Sequence, residues 1–174
     1  MISVQGSKEL QAVILAMKVV DKDLRPEMYQ RTRDKILPDW QNSLQERING
    51  FKYEAFHTAL LMKNTRVGVG TQGVNVSAAT STKAIRKGST LSPAGNFYLA
   101  EFGADPKEVA VKGRRGTSQY AYRRKVNTGM LSRRSKGRFA YKTANTIVSR
   151  SVALWVQTIV QTVNEAVEKG TRNG

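Results

Sequence analysis

The longest uninterrupted pattern in this chain runs from Phe139 to Lys169, close to its end. Apolar residues recur there in steps of three and four, the spacing that lines one face of an α-helix. They are Ala144, Val148, Val152, Trp155, Ile159, Val163 and Ala166. Val, Ile and Thr favour strands, but a strand seldom exceeds about ten residues, whereas roughly thirty residues form a helix of about 45 Å. Because Pro is absent and Gly170 follows as a stop signal, we predict a long C-terminal helix over residues 138–170.

A second set of apolar residues makes the apolar stripe of this helix wider than a single packing partner requires. It comprises Leu154, Val156, Val160 and Val167. The remaining polar strip is narrow and consists mainly of Gln157, Gln161, Asn164 and Glu168. Two interpretations follow: a central core helix, or a helix that packs on its own domain and also on a neighbouring subunit. In both interpretations the predicted packing residues include Val152, Val156, Val160 and Val163.

The chain length predicts one domain, residues 1–174, which is large enough to bury a core. The absence of Cys excludes disulfide bonds and thiolate metal sites, which fits a reducing cytoplasm. No apolar run reaches about 18 residues without a charge, so we expect no membrane-spanning segment. The start of the chain, residues 1–4, lacks the basic-then-apolar pattern of a signal peptide.

Positive charge is concentrated in the middle and late parts of the chain. There are 29 Lys and Arg against 13 Asp and Glu, which gives a net charge of +16. Eight of the acids lie at or before Glu54, so the N-terminal part is nearly balanced. No acid occurs between Glu108 and Glu165, a window that holds twelve Lys and Arg. A surplus of this kind predicts a polyanionic partner, either nucleic acid or an acidic protein surface.

Residues 1–63 predict three helices. The first begins after Ser7 and ends near Asp23, and the second has Pro26 in its first turn. Pro38 lies inside the second helix and is expected to kink it or to split it at Leu37. The third is predicted over residues 51–63, with four residues facing inward: Ala55, Phe56, Ala59 and Leu60.

Residues 64–112 predict a small antiparallel sheet. Residues 65–70 and 74–77 alternate with period two around a short turn that contains Gly, which indicates a β-hairpin. A third strand is predicted at residues 84–85, and a turn or loop at residues 92–95. A short helix over residues 96–103, closed by Gly103, and a further strand over residues 108–112 follow. The fold class is therefore α+β, with N-terminal helices, a small sheet and the long helix packed on that sheet.

No arrangement of residues in the sequence indicates catalysis, a cofactor or a metal. Gly68–Gly73 matches the letters G-x-G-x-x-G, but β-type alternation follows it where a dinucleotide site requires a helix. His57 is the only histidine, and a lone His is usually packed or on the surface rather than a ligand or base. No acid and base partners accompany it for nucleophilic catalysis. We expect a protein that is not an enzyme.

The strongest functional signal is a predicted exposed loop over residues 113–137, rich in Gly, Ser, Arg and Lys. Tyr120 and Tyr122 lie among its basic residues and could stack on bases or on a protein surface. The predicted contacts to a partner or to DNA are Arg114, Arg115, Tyr120, Tyr122, Arg123, Arg124, Lys125, Arg133, Arg134, Lys136 and Arg138. Three interpretations stay open: a solvated loop, contact with nucleic acid, and contact with an acidic protein.

The order of elements and two short segments resemble a known family. The segments are Tyr98-Leu99-Ala100-Glu101-Phe102-Gly103 and Phe139-Ala140-Tyr141-Lys142-Thr143-Ala144. With a helical first half, a hairpin and a long last helix, the chain resembles the head–tail joining proteins of long-tailed bacteriophages, also called neck or tail-completion proteins. The resemblance extends over residues 8–168. The chain lacks the family's Pro-containing stretch before the hairpin, and its basic loop is longer.

The resemblance implies a structural virion protein that is assembled in the host cytoplasm. It would form a homo-oligomeric ring, commonly a hexamer, between head-completion or connector proteins and the tail tube, as a neck, tail-completion or tail-terminator layer. Packaged DNA in the lumen is a further expected contact. The alternative is a nucleic-acid-binding protein that uses the basic loop, residues 112–138.

Overall fold

The computed structural model describes residues 24–115 and 118–172, and the predicted helix between Ser7 and Asp23 lies outside these residues. Four helices occur in the described part: α1 Leu24–Ile48, α2 Glu54–Leu61, α3 Pro93–Phe102 and α4 Ala140–Arg172. Four strands form two separate antiparallel pairs: β1 Arg66–Gly70 with β2 Gly73–Ser77, and β3 Lys107–Arg115 with β4 Ser118–Val126. The predicted α+β class, the first hairpin and the long last helix are confirmed.

The core lies along one side of α1. Its buried residues recur every four positions: Met28, Thr32, Ile36, Trp40, Leu44 and Ile48. The helix continues through Pro38, so of the two predicted outcomes, a kink or a split at Leu37, the split is wrong. Pro38 is exposed, and the hydrogen bond that it removes therefore falls on the side of the helix where water can replace it.

The helix α4 runs antiparallel along α1. Arg47 near the end of α1 donates to Thr143 Oγ1 at 3.1 Å, near the start of α4. At the other end, the Arg31 guanidinium lies 2.5 Å from the Glu165 carboxylate. The first hairpin covers this pair from the side, since Val69 and Val74 pack against the core residues of both helices. The long helix thus packs chiefly on α1 and only in part on a sheet.

The short helix α2 buries the predicted face only in part: Leu60 is buried and Phe56 packs against the core as predicted, but Ala55 does not face inward. It begins at Glu54, and its buried residues are His57, Leu60 and Leu61. Ala55, which was predicted to face inward, is exposed. The preceding residue, Tyr53, has a left-handed backbone with φ 64°. This sharp change in chain direction determines which side of α2 packs against the core.

Two predictions between the hairpin and β3 are wrong. Residues 84–85 form no strand, since Ile85 instead closes an irregular loop by donating its N–H to the Leu91 carbonyl at 2.9 Å. Residues 92–95 open α3 rather than forming a loop. Ser92 caps the helix by accepting from the Gly95 N–H at 3.3 Å, and Pro93 takes the first helical position, where its missing N–H is not needed.

The predicted loop over residues 113–137 is wrong for its first half. Residues 118–126 form the strand β4, which pairs with β3 along its whole length. Weak alternation in a segment dominated by Arg and Lys concealed this strand, because a ribbon exposed on both sides needs no regular apolar period. Among the described residues of the predicted loop, residues 127–137 are the ones without a helix or strand.

Candidate functional site

A carboxylate from another helix caps the long helix α4. Glu101 on α3 is fully buried at 0% exposure, and it accepts hydrogen bonds from three consecutive backbone N–H groups. Its oxygens lie 3.1 and 3.2 Å from the Phe139 nitrogen, 2.9 Å from that of Ala140 and 3.1 Å from that of Tyr141. These are N–H groups that the helix itself leaves without partners, and the negative charge faces the positive end of the helix dipole. Glu101 therefore fixes the start of α4 against α3.

Two glycines allow this close approach. At Gly137 a Cβ atom would collide with the Glu101 carboxylate. Gly103 ends α3 with φ 75°, and a Cβ there would collide with the backbone carbonyls of Leu131 and Ser132. The two segments that carry the family resemblance thus meet at one packed junction, which we call the capping junction (residues 101–103 and 137–141).

Arg138 belongs to the capping junction rather than to an exposed surface. Its side chain is 6% exposed and donates to the backbone carbonyl of Ser132. Burial lowers the pKa of Arg138 and the charge of Arg134 lowers it further, whereas the Glu101 carboxylate raises it. Arg138 supports the junction from inside, and it is not part of the exposed basic surface on which the sequence placed it.

His57 packs against the same junction. Its ring centroid lies 4.9 Å from that of Phe139 and 5.6 Å from that of Phe56, and the residue is buried. Burial lowers the pKa of His57 and the charge of Arg138 lowers it further, whereas the backbone of Lys52 raises it. The ring is therefore held neutral and serves as a packed aromatic residue. The sequence interpretation of a packed or surface histidine agrees with this position.

The strands β3 and β4 form a long two-stranded hairpin, which we call the basic ribbon (residues 107–126). Its register runs from Lys107 opposite Val126 to Arg115 opposite Ser118. At its base, the Asn127 amide donates to the Asp105 carbonyl at 3.3 Å. No other helix or strand of the described chain packs extensively on the ribbon. Because residues opposite each other point to the same side, the ribbon has two distinct faces.

One face of the basic ribbon carries two stacked tyrosines. Tyr120 lies opposite Gly113 and Tyr122 opposite Val111, with their ring centroids 5.7 Å apart and 28° between the ring planes. A Cβ at Gly113 would collide with the Tyr120 ring, so Gly113 leaves room for the ring to lie across the strand. The two tyrosines are 52% and 41% exposed. We call this the tyrosine face; its members include Lys107, Val109, Val111, Tyr120, Tyr122, Arg124 and Val126.

The opposite face of the ribbon is charged. Its basic members are Lys112, Arg114, Arg123 and Lys125. Glu108 is the acid of this face and lies 3.9 Å from Arg123, an exposed pair of the kind that contributes little to stability. The side chain of Arg115 lies outside the described part of the chain.

The segment after the ribbon adds three exposed basic side chains on a fixed backbone. The Arg133 N–H donates to Asp105 Oδ1 at 3.0 Å, and the Arg134 N–H donates to the Phe102 carbonyl at 2.8 Å. The side chains of Arg133, Arg134 and Lys136 are exposed. The predicted basic contacts whose side chains are described therefore lie on the two faces of the ribbon and on the segment that follows it, apart from the buried Arg138.

The valines predicted as packing residues of α4 divide into two groups. Val152 and Val163 pack in the core around Trp155 and Ile159. Val156 is half-buried, and Val160 is 54% exposed on the outer side. A shallow depression there, which we call the α4 groove, is lined by Val156, Val160, Gln161, Asn164, Glu165 and Glu168. Farther along the same side, Val167 is 59% exposed.

Sequence reasoning missed the role of Glu101, although a signal was present. It is the only acid between Glu54 and Asp105, and its neighbours in α3 are mainly apolar or aromatic. A single acid on such a helix is typical of a buried carboxylate with hydrogen-bond donors around it. Which donors these are depends on residues 139–141, which are distant in the sequence.

The described residues contain no group of three or more His, Asp or Glu that could hold a metal ion. Within residues 24–115 and 118–172, no helix is long and apolar enough to cross a bilayer. No protein-family model matches the chain, and neither a curated protein nor a solved structure matches it significantly.

Proposed function

We propose that this chain is a structural subunit of a tailed-phage virion that forms a homo-oligomeric ring at the head–tail junction. In that role it joins head-completion or connector proteins to the tail tube as a neck, tail-completion or tail-terminator layer. It acts by contact rather than by catalysis.

The observation that carries this proposal is the unpacked basic ribbon. An isolated two-stranded hairpin is only marginally stable in water, because it has no third strand or helix to cover an apolar face. Here eight of the nine residues of β4 are exposed, and the ninth, Val126, is half-buried. A ribbon of this length is typical of an arm that gains its cover from a neighbouring molecule.

The α4 groove supports an assembly role from a second direction. Val160 and Val167 face outward on a helix whose other side already has a complete core contact with α1. Exposed apolar rows rimmed by polar residues are typical of protein interfaces. Wide apolar helices are suited to ring subunits, because each subunit needs contacts on two sides.

One observation favours a second candidate function, nucleic-acid binding. The stacked pair of Tyr120 and Tyr122 is exposed on the same face of the ribbon as Arg124, and Arg123 and Lys125 lie on the opposite face. Aromatic rings next to phosphate-neutralising charges are the elements of a single-strand binding surface. Packaged DNA in the lumen of a ring would present the same chemistry.

Native mass spectrometry and negative-stain imaging of the pure protein, alone and with its virion neighbours, test the proposal. We expect closed rings of one stoichiometry, formed by the chain alone or on a neighbouring ring. A strictly monomeric protein that joins neither neighbour would remove the ring function.

Measuring DNA binding as a function of salt concentration tests the second candidate function separately from the ring proposal. A phosphate-dominated binder has high affinity in about 50 mM salt and loses it steeply as salt rises, because counterions are released on binding. Weak or absent binding to both duplex and single-stranded DNA in about 50 mM salt would eliminate nucleic-acid binding and leave the ring proposal intact.

A further inference from the structure

Two uncovered surfaces of this chain are chemically complementary. The tyrosine face presents two aromatic rings and the flanking valines together with a positive charge, Arg124. The α4 groove presents an apolar floor of Val156 and Val160 beside two acids, the exposed Glu168 and Glu165, whose carboxylate also pairs with Arg31 in the same chain. These are the only acids after Glu108 in the whole sequence, and both lie in the groove.

The base of the ribbon and the α4 groove lie at opposite ends of α4. The ribbon starts beside the capping junction, where the Ala104 N–H donates to the Leu131 carbonyl at 3.0 Å. The groove lies in the second half of the helix, and the twenty residues from Ala140 to Val160 place it about 30 Å along the axis. Because the ribbon and α4 do not pack extensively on each other within one chain, two copies can pair them head to tail.

We propose that the tyrosine face of one copy docks in the α4 groove of a second copy. This inference rests on the proposed ring function and names the subunit interface of that ring. The contact is heterologous: each copy offers its ribbon to one neighbour and its groove to the other, so that successive contacts close into a ring. This contact buries the valines of the α4 groove against the stacked tyrosines. Each basic ribbon then packs on α4 of the neighbouring copy.

The charges on these surfaces favour one alignment. Tyr122 and Arg124 are two residues apart on the same face, which separates them by about 7 Å along the strand. Val160 and Glu168 are eight residues apart on α4, or about 12 Å. With Tyr122 over Val160, the length of the Arg124 side chain spans the remaining distance to Glu168. The ion pair gives the contact its direction, while the aromatic rings contribute most of its affinity.

A mixing experiment with two complementary variants tests the head-to-tail contact. Tyr122→Ser damages the ribbon and leaves the groove intact, whereas Val160→Lys damages the groove and leaves the ribbon intact. Each variant alone should self-associate about tenfold more weakly or worse, since an aromatic anchor or its pocket is lost. Mixed together, they should form a one-to-one heterodimer, because one intact ribbon and one intact groove remain. Native mass spectrometry with one isotopically labelled variant measures this.

Matched substitutions elsewhere control for the chemistry of each change. Tyr98→Ser removes a tyrosine that is 57% exposed on α3, and Asn145→Lys adds a lysine at an exposed position near the start of α4. Both controls should self-associate like the unaltered chain. Circular dichroism and thermal unfolding of every variant should match the unaltered chain, because all four positions are at least partly exposed.

Charge reversal provides a second test that does not depend on the tyrosines. Arg124→Glu and Glu168→Arg should each weaken self-association, and the double variant Arg124→Glu/Glu168→Arg should recover most of it. Recovery in the double variant indicates that the two residues face each other across the contact.

The outcomes separate this inference from the proposed function. If Tyr122→Ser and Val160→Lys still form full rings, or if their mixture stays monomeric, the interface is wrong while the ring function stands. If Tyr122→Ser loses DNA binding and keeps self-association, the tyrosine face serves nucleic acid and the inference is overturned. If the unaltered chain joins neither itself nor its virion neighbours, the proposed function and the inference both fail.

Discussion

Glu101 connects two helices through a single side chain. Its carboxylate holds the first N–H groups of α4, and its backbone carbonyl accepts the Arg138 N–H at 3.1 Å. Replacing a buried acceptor leaves several donors without partners, which costs more than the bonds themselves contribute. The capping junction therefore depends on this residue more than on any surface ion pair.

Substitution of Glu101 should be strongly destabilising. Glu101→Gln keeps the shape but places an NH₂ group among N–H donors, so we expect the free energy of unfolding to fall by about 2 to 3 kcal/mol. Urea denaturation followed by circular dichroism measures this. Glu46→Gln, at an exposed position of α1, is the control and should change stability by less than about 0.5 kcal/mol. Equal effects for the two variants would contradict the capping role.

The buried His57 should make stability depend on pH. Its pKa is lowered in the folded chain relative to the ordinary value of 6.5, so the folded state resists protonation. Above pH 6.5 both states hold a neutral ring and the stabilisation is fully present. As the pH falls below 6.5 the unfolded chain takes up the proton first, and the free energy of unfolding declines until the folded pKa is passed.

Urea denaturation between pH 7.5 and pH 5 measures this dependence against the variant His57→Phe. Since His57 is the only histidine, the difference between the two proteins isolates its titration from that of the carboxylates. The variant should show a flatter profile in this window. Parallel profiles would show that His57 contributes nothing to the pH dependence.

At the scale of elements, the basic ribbon and the helix pair α1–α4 differ in how they are supported. The helix pair has a continuous apolar contact, and the Arg31–Glu165 and Asp39–Arg150 ion pairs bridge its two helices. The ribbon is held by its own ladder and by contacts at its base. Elements with few buried contacts open more readily than the core.

Limited trypsin digestion should therefore cut the ribbon first. We expect early cleavage at Arg123, Arg124 and Lys125, and much later cleavage at Arg31 and Arg47 on α1, although all five are trypsin sites. A time course analysed by mass spectrometry identifies the order. Early cleavage within α1 would contradict the claim that α1 is better packed than the ribbon. In the assembled ring, the ribbon sites should become protected.

In the part of the chain that the structure describes, a body of four helices and the first hairpin carries the basic ribbon as an arm. The arm leaves the body next to the capping junction, where Asp105 and Asn127 lie close together. Removing residues between these two positions should therefore leave the body closed. Folding and assembly are thus expected to depend on different parts of the chain.

Replacing residues 107–126 with a short Gly-Ser linker tests this separation. The shortened chain should keep its helical circular dichroism and a cooperative unfolding transition, because neither core cluster contains a ribbon residue. It should lose self-association in native mass spectrometry. Loss of cooperative unfolding would show that the ribbon is part of the folding unit, and retained rings would place the subunit contact elsewhere.

Local sequence patterns were sufficient to predict the elements that have strong periodicity. The long helix α4, the first hairpin and the short helix closed by Gly103 follow from local patterns of apolar residues and turn residues. The continuity of α1 through Pro38 did not follow, because it depends on Pro38 facing solvent. The start of α3 at Ser92–Pro93 was interpreted as a turn, because Ser and Pro are favoured both in turns and at the first positions of helices.

The strand β3 was predicted over residues 108–112 and is confirmed, whereas the capping junction and the partner strand β4 became visible only in the folded chain. Glu101 and its donors are about forty residues apart in sequence, a separation that no local pattern spans. The strand β4 was missed because strand pairing, rather than burial, holds it in place, so its sequence lacks an apolar period. Local periodicity reports which side of an element is buried, whereas long-range hydrogen bonds and strand register depend on the folded chain.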